Sequence, residues 1–427
     1  MSRINEILDD IEEKIEKIQR ALSFQPGRLM SGKASSVLSS GKASSSMSGS
    51  KPQSAMSSGN TKTNNLFQNK PFNNINFVNN KHQNIIPTNC DSSWFERCFG
   101  FKETTDYTYN QLKFKYFFKI GKYLKIGEYD VGNFKLWDSP DLLKINRYSS
   151  GNPTIFNMIG DIKNIHRVEF NNNATIQVAS QLNCLEMINP QKAPKNGISI
   201  YVDDPTQGPI CALQTPAGIA YRNYLIPISD ETYGQTCYNQ LNMAYELLQY
   251  FAINIKGFTY QYINGYLFIN SENLKKINIF LKEPKKYEFA INLIKTASHT
   301  NMSVIESTNH INHVLCSGLP INYAKKLYSY NKDDWDLLSE VFLKAFYRNT
   351  LLIALNNNKI YGDKPCYLTQ VGGGEFGMDN KIIADAIKYA FNYINDRNYK
   401  LNIYIVHYRY IHDAYNCFLS ISSIVSP

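Results

Sequence analysis

Three consecutive glycines, Gly372, Gly373 and Gly374, followed two positions later by Phe376, form the clearest chemical pattern in the sequence. Glycine has no Cβ atom, so backbone N–H groups in such a loop can close on a phosphate without steric conflict. A helix predicted over 380–395 would aim the positive end of its dipole at the same point. The pattern predicts a phosphate or nucleotide cradle in which Phe376 stacks on a ribose or a base. A plain glycine-rich turn between a strand and a helix is the alternative.

Two earlier segments carry residues that suit anion binding. Gly208 lies in a Thr-Gln-Gly-Pro run, and Arg222 lies in a Tyr-Arg-Asn-Tyr run. The planar guanidinium of an arginine can bind a phosphate or a carboxylate through two parallel hydrogen bonds. We therefore expect Arg222 to bind a substrate anion, or else to be a surface residue that pairs with Asp203 or Asp204.

A cysteine with two nearby histidines raises a nucleophile hypothesis and a metal hypothesis. Cys316 follows His310 and His313, which are three residues apart. A histidine can activate a cysteine, and two histidines can bind zinc. Because neither pattern has a distinctive local signature, we favour a buried structural cysteine with two polar loop histidines. We predict no metal site and no cofactor.

Strands alternate with helices over most of the chain. The main predicted strands span 154–158, 175–179, 198–201, 225–228, 290–295, 366–371 and 401–407. The main predicted helices span 235–254, 273–281, 335–356, 380–395 and 411–419. Residues 94–150 mix short strands over 112–118 and 123–126 with a helix over 140–145. This alternation predicts an α/β fold with helices on both faces of the sheet, and ligands of such sheets bind at the carboxyl ends of the strands.

Three segments, taken in order, resemble a macrodomain, the ADP-ribose-binding α/β fold. Residues 158–162 (Met-Ile-Gly-Asp-Ile) are similar to the Gly-Asp-Ile that follows an early macrodomain strand. Residues 174–183 resemble the next buried strand and the start of the first phosphate loop. Residues 369–377 resemble the second phosphate loop, and a final strand over 402–407 matches the close of that fold. The resemblance implies a macrodomain-like mixed sheet.

The resemblance also implies roles for individual residues. Asp161 would receive the adenine amino group, although it could instead cap the next helical turn. Gly372–Gly374 would hold the diphosphate, and Phe376 would contact the distal ribose. A macrodomain-type hydrolase needs a group that positions or deprotonates water beside the anomeric carbon, and a carboxylate with a raised pKa can do this. Glu186 is the candidate for that catalytic role, with Asn183 beside it.

The sequence departs from the family pattern in its first loop and in its length. The segment 180–187 contains no glycine, whereas the first phosphate loop of the family is glycine-rich. Gly208 is the nearest substitute and is our candidate ligand-binding glycine there. Residues 222–358 predict a large helical insertion, and residues 94–150 predict an N-terminal elaboration. The chain also resembles a widespread group that carries Thr-Gln-Gly-Pro and Gly-Gly-Gly-x-Phe-Gly runs.

The chain divides into three predicted parts. In residues 1–22, isoleucine and leucine recur at alternating spacings of four and three. This seam predicts a short coiled-coil helix and a homo-oligomer; a helix that docks onto the globular part is the alternative. Residues 23–91 predict a disordered basic linker with weak polyanion contact, because seven Lys or Arg and no acid lie among abundant Ser and Asn over 23–90. Residues 92–427 predict the macrodomain-like α/β domain.

Composition narrows the class of protein further. The formal net charge is +9 at pH 7, but most of the excess lies in the predicted linker, so the charge does not indicate a nucleic-acid-binding fold. The eight cysteines are scattered, with no CxxC spacing, and no apolar run approaches the roughly 18 residues of a membrane-spanning helix. We expect an intracellular protein, cytoplasmic or nuclear, that is neither secreted nor bound to a membrane.

These observations support hypotheses from different classes. The first is a macrodomain-like module that binds ADP-ribose or a related nucleotide and that, if it is an enzyme, hydrolyses ADP-ribosyl bonds. The second is a non-catalytic scaffold that gains avidity from the coiled coil and contacts polyanions through the basic linker. A third is a nucleotide hydrolase with different ligand chemistry in the region 222–358. The sequence leaves the choice between binding and turnover open.

Overall fold

The computed structural model describes residues 93–119, 125–145, 150–328 and 331–421. The predicted coiled coil of 1–22 and the predicted linker of 23–91 lie outside these residues. The strands are β1 Phe118–Lys119, β2 Lys125–Ile126, β3 Tyr129–Asp130, β4 Asn133–Trp137, β5 Thr154–Ile159, β6 Thr175–Ala179, β7 Gln261–Ile263, β8 Tyr266–Phe268, β9 Thr296–Ser303, β10 His310–Cys316, β11 Cys366–Leu368, β12 Asn402–His407 and β13 Leu419–Ile421.

The helices are α1 Trp94–Phe99, α2 Tyr107–Phe117, α3 Ser139–Leu143, α4 Ile162–Arg167, α5 Gln207–Gln214, α6 Pro216–Ala220, α7 Tyr245–Asn254, α8 Ser271–Leu281, α9 Pro284–Asn292, α10 Ile321–Ala324, α11 Asp333–Tyr361 and α12 Asn380–Asn395. A π-helical turn, Tyr221–Leu225, follows α6. Short 3₁₀ turns cover Glu169–Asn171, Pro194–Asn196, Ser199–Asp203 and Asp413–Tyr415. Among the described residues, no helix is long and apolar enough to cross a membrane.

Eight strands form one mixed sheet in the order β13-β5-β12-β11-β6-β10-β9-β4. The strands from β13 to β10 pair in parallel, whereas β9 runs antiparallel to both of its neighbours. Parallel strands end at the same edge of a sheet, and ligands of open α/β sheets bind outside the carboxyl ends. This topology gathers the segments that follow β6, β10 and β11 at one place.

Helices cover both faces of this sheet. Thr350 of α11 accepts a hydrogen bond from the side chain of Gln177 at 3.0 Å, so α11 lies on the face that Gln177 occupies. His166 of α4 lies 2.8 Å from His313 of β10, and His313 pairs in register with Ile176. Because neighbouring residues of a strand point to opposite faces, α4 and α11 lie on opposite sides. The predicted α/β class with a mixed sheet is confirmed.

Helix α12 begins and ends where the sequence predicts. The side chain of Asp379 accepts a hydrogen bond from the N–H of Lys381 at 2.7 Å, and an aspartate at this position stabilises a helix start. Buried residues then recur at spacings of four and three, at Ile383, Ile387, Ala390 and Ile394. This apolar stripe packs against α11, so the helix is held by its cap and by its buried face.

Several other predicted elements are wrong in type. Residues 198–201 form a 3₁₀ turn instead of a strand, and 290–295 begin inside α9 and end before β9. The predicted strand over 112–118 lies almost wholly in α2, and the predicted helix over 411–419 contains only a 3₁₀ turn and the start of β13. Residues 225–228 begin at the last residue of the π-helical turn and form no strand. Short apolar runs do not distinguish a strand from a helix, and tertiary packing made the choice.

The region 222–358 supplies part of the main sheet as well as helices. Strands β9 and β10 lie inside it, and β10 pairs with β6. These two strands are rich in polar residues, with the sequences Thr-Ala-Ser-His-Thr-Asn-Met-Ser and His-Ile-Asn-His-Val-Leu-Cys. For this reason the sequence did not predict them, although they lie in the interior of the sheet. The region 94–150 likewise adds β4 to the edge of the sheet.

Candidate functional site

A cleft of about 140 Å³ opens at the carboxyl edge of the sheet. Its lining comes from residues within four stretches of chain, 179–181, 186–188, 204–209 and 370–376, together with Tyr266, Gly318 and Tyr323. The first stretch follows β6, the third leads into α5, and the fourth follows β11. Because β11, β6 and β10 are neighbours in the sheet, the fold brings these distant segments together.

The glycine loop lies against the end of β10. Gly372 has a φ of +80°, and a Cβ atom there would lie 2.5 Å from Met378 Sδ and 3.1 Å from Gly318 Cα. The N–H of Met378 donates to the carbonyl of Gly372 at 2.9 Å, and the N–H of Gly373 donates to the carbonyl of Gln370 at 3.0 Å. Both the backbone conformation and the available space therefore require glycine at position 372.

Backbone N–H groups with no protein acceptor collect at this cleft. Within the described part of the chain, the N–H groups of Gly374, Glu375 and Phe376 donate no hydrogen bond to protein. Helix α5 begins at the same cleft with Gln207 and Gly208, whose N–H groups have no partner inside the helix because they belong to its first turn. Oriented amides of this kind, reinforced by a helix dipole, bind anions.

Three aromatic rings form one wall of the cleft. The ring of Phe376 lies 5.4 Å from the ring of Tyr266 and 6.0 Å from the ring of Tyr323, measured between centroids. The hydroxyl of Tyr266 donates to the carbonyl of Met187 at 2.8 Å, which fixes the position of that ring. An aromatic wall beside an anion site suits a ligand that carries a sugar or a base next to a phosphate.

Three carboxyl groups line the same cleft, those of Glu186, Asp204 and Glu375. Glu186 is fully buried, Asp204 is half-buried and Glu375 is exposed. Burial raises the pKa of Asp204, hydrogen bonds with Thr206 oppose that rise, and the charge of Glu375 adds to it. Among the described residues, the cleft lining includes no lysine or arginine. The donors available to an anion here are therefore uncharged N–H and hydroxyl groups.

Glu186 forms an ion pair with Arg222 beneath the cleft. Arg222 Nη2 lies 3.0 Å from Glu186 Oε1, and both side chains are 0% exposed. The Nε of Arg222 donates to the carbonyl of Cys184 at 2.9 Å, and its Nη1 lies 3.3 Å from His299 Nδ1. Burial raises the pKa of Glu186 to about 7, although Arg222 acts in the opposite direction. The pair ties the loop after β6 to the π-helical turn.

The structure places Arg222 in the interior. Its guanidinium is fully buried and does not line the cleft, so it is not a surface partner of Asp203 or Asp204, and its contact with a ligand stays a prediction that this position does not support. The run Tyr-Arg-Asn-Tyr lies in a buried π-helical turn, and Glu186 supplies the opposite charge that a buried arginine requires. The Tyr-Arg-Asn-Tyr run, which suggests a binding site in the sequence, therefore stabilises the interior of the protein.

Asn183 also lies outside the cleft lining, in the interior of the loop after β6. Its Oδ1 accepts a hydrogen bond from the N–H of Leu185 at 3.1 Å, and its Nδ2 donates to Gln240 at 2.9 Å. The side chain is 0% exposed. Asn183 therefore holds the shape of the loop, and the structure does not bring it to the cleft as a catalytic group would require.

Asp161 lies at the carboxyl end of β5, on the edge of the sheet that carries the cleft. Its Oδ1 accepts a hydrogen bond from the N–H of Lys163 at 2.9 Å and caps α4. The capping alternative is therefore present in the structure. Asp161 does not line the cleft itself, and its contact with an adenine stays a prediction.

Gly208 allows helix α5 to begin directly against the end of β6. A Cβ atom at this position would lie 2.0 Å from the carbonyl oxygen of Ala179 and 3.2 Å from Cγ of Glu186. Any larger residue would push the first turn of α5 away from the strand. The glycine lines the cleft and at the same time covers Glu186.

The predicted cradle residues divide between two sides of their loop. Gly372, Gly374 and Phe376 line the cleft. Gly373 is turned toward α12, where a Cβ atom would lie 3.0 Å from Cδ1 of Ile383. Their common position agrees with a cradle, whereas ligand contact by each of them stays a prediction.

Cys316 and His313 are buried in β10 and away from the cleft lining. Burial raises the pKa of the Cys316 thiol to about 12, so this thiol is not a ready nucleophile. His310 lies in the same strand, 3.0 Å from Asp130. The described residues contain no group of three or more His, Cys, Asp or Glu placed to hold a metal ion. The structural interpretation of Cys316 fits these contacts, but the histidines belong to a strand and not to a loop.

Sequence reasoning missed several residues that line the cleft. Asp204 stands two positions before Thr206, the first residue of the Thr-Gln-Gly-Pro run, so its place ahead of a helix start was a usable signal. Tyr266 and Tyr323 come from a hairpin and from a short helix, and nothing local marks them. Gln370 follows β11 and lies 2.5 Å from His407 Nδ1 through its Nε2, a contact that only the parallel pairing of β11 and β12 creates.

Comparison with known proteins gives matches at the level of structure. No protein-family model matches the sequence, and no curated protein matches it. The poly(ADP-ribose) glycohydrolase of Thermomonospora curvata aligns with 9% identity and a TM-score of 0.34, covering 72% of this chain and 94% of that one. The glycohydrolase of Deinococcus radiodurans in complex with ADP-ribose aligns with 8% identity and a TM-score of 0.33, covering 64% and 87%. A macrodomain of Oceanobacillus iheyensis aligns with 11% identity and a TM-score of 0.27, covering 63% and 91%.

All of these TM-scores are below 0.5, so the alignments carry no argument about the activity, the ligand or the site residues of this chain. The macrodomain-like character rests on the chain's own features. The mixed sheet is present, and the segments 158–162, 174–183 and 369–377 that carry the resemblance all reach its carboxyl edge. The chain has an α/β fold with a mixed sheet, and its cleft opens at the edge where the segments that resemble macrodomain loops meet.

Proposed function

We propose that the chain binds ADP-ribose, or a related nucleotide with a diphosphate, in the cleft at the carboxyl edge of the sheet. The observation that carries this proposal is the row of N–H groups without a protein acceptor at Gly374, Glu375 and Phe376, beside the first turn of α5. Such donors suit phosphate oxygens. The nucleotide class comes from the resemblance of the loop segments to macrodomain loops.

The charges around the cleft limit the affinity that we expect. Asp204 and Glu375 line it, and no lysine or arginine does so among the described residues. The phosphates would therefore be held by amide dipoles and by a helix end that carries about half a positive charge, against repulsion from two carboxylates. We expect a dissociation constant in the micromolar range, which corresponds to about −8 kcal/mol.

The size of the cleft indicates which part of the ligand it would enclose. Its volume of about 140 Å³ is below the roughly 300–1,000 Å³ of sites that enclose a drug-sized ligand. The diphosphate and the distal ribose would occupy the cleft, with the ribose against Phe376 and its aromatic neighbours. The adenosine would extend along the edge of the sheet toward the end of β5, where Asp161 lies.

Calorimetric titration of ADP-ribose into the full chain tests this proposal. The test variant is Gly374→Glu and the matched control is Gly374→Ala, because a Cβ atom at this glycine meets nothing within 4 Å. We expect the parent and the alanine variant to bind alike, since both keep the backbone N–H groups. The glutamate variant places a negative charge over the cradle, and we expect its affinity to fall at least about tenfold.

Two results of this titration would contradict the proposal. One is a parent protein that is folded, by circular dichroism and a cooperative melt, and does not bind ADP-ribose at millimolar concentration. The other is equal affinity in the parent and in Gly374→Glu, which would place the ligand away from the glycine loop. Thermal melts of the three proteins show whether the substitutions leave the fold intact.

Hydrolysis of an ADP-ribosyl bond is the second candidate function, and acidic groups inside the cleft favour it. A carboxyl group with a raised pKa can exchange a proton during a reaction, and Asp204, which lines the cleft and is half-buried, has a pKa that burial raises. The non-catalytic scaffold remains the competing hypothesis. Its oligomer through residues 2–22 and its polyanion contact through 23–91 concern residues outside those the structure describes, and both stay predictions.

A further inference from the structure

The carboxyl groups of the cleft differ in their access to a ligand. Both oxygens of Glu186 accept hydrogen bonds from Arg222 Nη2, at 3.0 Å and 3.3 Å, and its side chain has no exposed surface. Gly208 covers it from the side of the cleft. A water molecule in the cleft could reach Glu186 only if α5 moved and a buried ion pair were disturbed, which is costly.

Asp204 is placed differently. It is half-buried and lines the cleft, and the N–H of Thr206 donates to its Oδ1 at 2.8 Å. The described residues offer it no lysine or arginine partner. It stands just before the first turn of α5, and Glu375 of the glycine loop is close enough to affect its pKa. Asp204 therefore lies between the two elements that would hold the diphosphate.

We propose that Asp204, and not Glu186, is the catalytic carboxylate of the cleft and acts as general base on the water that attacks the distal anomeric carbon. This inference rests on the proposed function, because it requires a nucleotide in the cleft. Glu186 and Arg222 then support the loop after β6 from beneath, as positioning residues that do not touch the substrate.

The step balances without any further reactant. The oxygen of a water molecule forms a bond to the anomeric carbon while one of its protons passes to Asp204. The glycosidic bond breaks, and its electron pair leaves with the former acceptor atom, which takes a proton from solvent. The products are ADP-ribose and the free acceptor, and Asp204 then returns its proton to bulk water. Positive charge develops on the ribose during such a displacement, so Asp204 and the nearby Glu375 also stabilise the transition state.

A chromogenic substrate tests the assignment on the full chain. This substrate is ADP-ribose that carries a 4-nitrophenyl glycoside at its distal anomeric carbon. Nitrophenolate leaves without protonation, so the assay isolates the base. We expect Asp204→Asn to lower kcat by about 10²–10⁴-fold, the usual size of a general-base effect, while the dissociation constant of ADP-ribose stays within threefold or tightens. Asp203→Asn is the matched control, because Asp203 is the adjacent, exposed carboxylate, and we expect its kcat to stay within twofold.

The pH dependence gives a readout that a purely structural role would not move. In the parent, kcat falls at acidic pH because a protonated base is inactive, and the raised pKa of Asp204 determines the pH at which kcat falls. The residual activity of Asp204→Asn should not show this fall at acidic pH. The variant Glu186→Gln should still show it, with kcat per folded molecule within about tenfold of the parent.

Several outcomes would overturn the inference. A kcat for Asp204→Asn within threefold of the parent would do so, and so would loss of kcat in Glu186→Gln with folding and ADP-ribose binding intact. A parent that binds ADP-ribose but does not release nitrophenolate would also overturn it and would leave the proposed binding function standing. A parent that does not bind ADP-ribose would overturn the proposed function itself, so calorimetry on the same protein distinguishes the two failures.

Discussion

Arg222 Nη2 and Glu186 Oε1 lie 3.0 Å apart with both side chains withdrawn from solvent. The two residues are separated by 36 positions, and they connect the loop after β6 to the π-helical turn after α6. Removing two charges from water costs several kcal/mol per ion, and their mutual attraction offsets this only while the pair stays intact. The shape of the cleft floor therefore depends on a contact that lies wholly inside the protein.

We predict that Arg222→Met destabilises the protein by about 3–5 kcal/mol at pH 8, because it leaves the carboxylate of Glu186 buried without a partner. The loss should be smaller at pH 5, where the isolated carboxyl group is protonated. Urea denaturation at the two pH values measures both effects.

Two further variants serve as controls for this prediction. The double variant Arg222→Met with Glu186→Leu should regain much of the lost free energy of unfolding, because no buried charge remains. Lys276→Ala breaks the Lys276–Glu272 pair, whose Glu272 partner is largely exposed, and should leave the free energy of unfolding nearly unchanged. Equal losses in Arg222→Met and Lys276→Ala would contradict the importance of the buried pair.

Gly208→Ala should damage both stability and binding. The added Cβ atom would lie 2.0 Å from the carbonyl oxygen of Ala179, so the first turn of α5 must move away from β6, at a cost of about 1–3 kcal/mol. We expect the affinity for ADP-ribose to fall with it, since two of the cradle N–H groups lie in that turn. Gly374→Ala, which meets open space, is the matched control, and a melting temperature of Gly208→Ala equal to that of the control would refute the close packing.

Phe376→Ala should weaken ADP-ribose binding by about tenfold, because it removes the stacking surface beside the proposed ribose position. Phe376→Tyr should bind nearly as well as the parent, since it keeps the ring and its contacts with Tyr266 and Tyr323. Calorimetric titration of the three proteins compares the affinities. Equal binding by the alanine and tyrosine variants would show that the aromatic wall does not contact the ligand.

Acid should destabilise the fold through its buried histidines. Burial lowers the pKa of His166 and of His407 to about 4, compared with about 6.5 in an unfolded chain. The unfolded state therefore binds protons first, and the stabilisation present above pH 6.5 is lost as the pH falls toward 4. Glu186 affects the free energy of unfolding with the opposite sign, because its pKa is raised to about 7. Its stabilising contribution is present below about pH 4.5 and is lost as the pH rises to 7.

The substitution His166→Gln isolates one of these histidines. The slope of the unfolding free energy against pH should become shallower between pH 6.5 and 4 by up to about 1.4 kcal/mol per pH unit, the value for one proton. Urea denaturation in steps of half a pH unit measures the slope, with pH 8 as the reference where the histidine is neutral in both states. An unchanged slope would mean that His166 takes up a proton in the folded protein.

The sequence predicted the elements whose signals are local. Helix α12 and strand β6 have the predicted bounds, because a cap with an apolar stripe in one case and a run of buried residues in the other determine each element by itself. The sequence also identified the glycine loop, because three consecutive glycines are a local signal. In the structure, Gly372 has a conformation and surroundings that only glycine tolerates. Strands β9 and β10 were missed because their buried polar side chains find partners on other elements, as His299 does on Arg222 and His313 on His166, and no periodicity reveals such pairing.

The features of the site also divide into those that the sequence predicted and those that only the tertiary structure placed. The sequence by itself determined the α/β class and the glycine loop, because backbone conformation and hydrophobic pattern are properties of neighbouring residues. Only the tertiary structure decided that Arg222 supports Glu186 from below, that Asn183 faces the interior, and that Asp204 and Tyr266 line the cleft. Those outcomes depend on which buried charge meets which partner and on which strand ends meet at one edge, and both are settled when distant segments pack together.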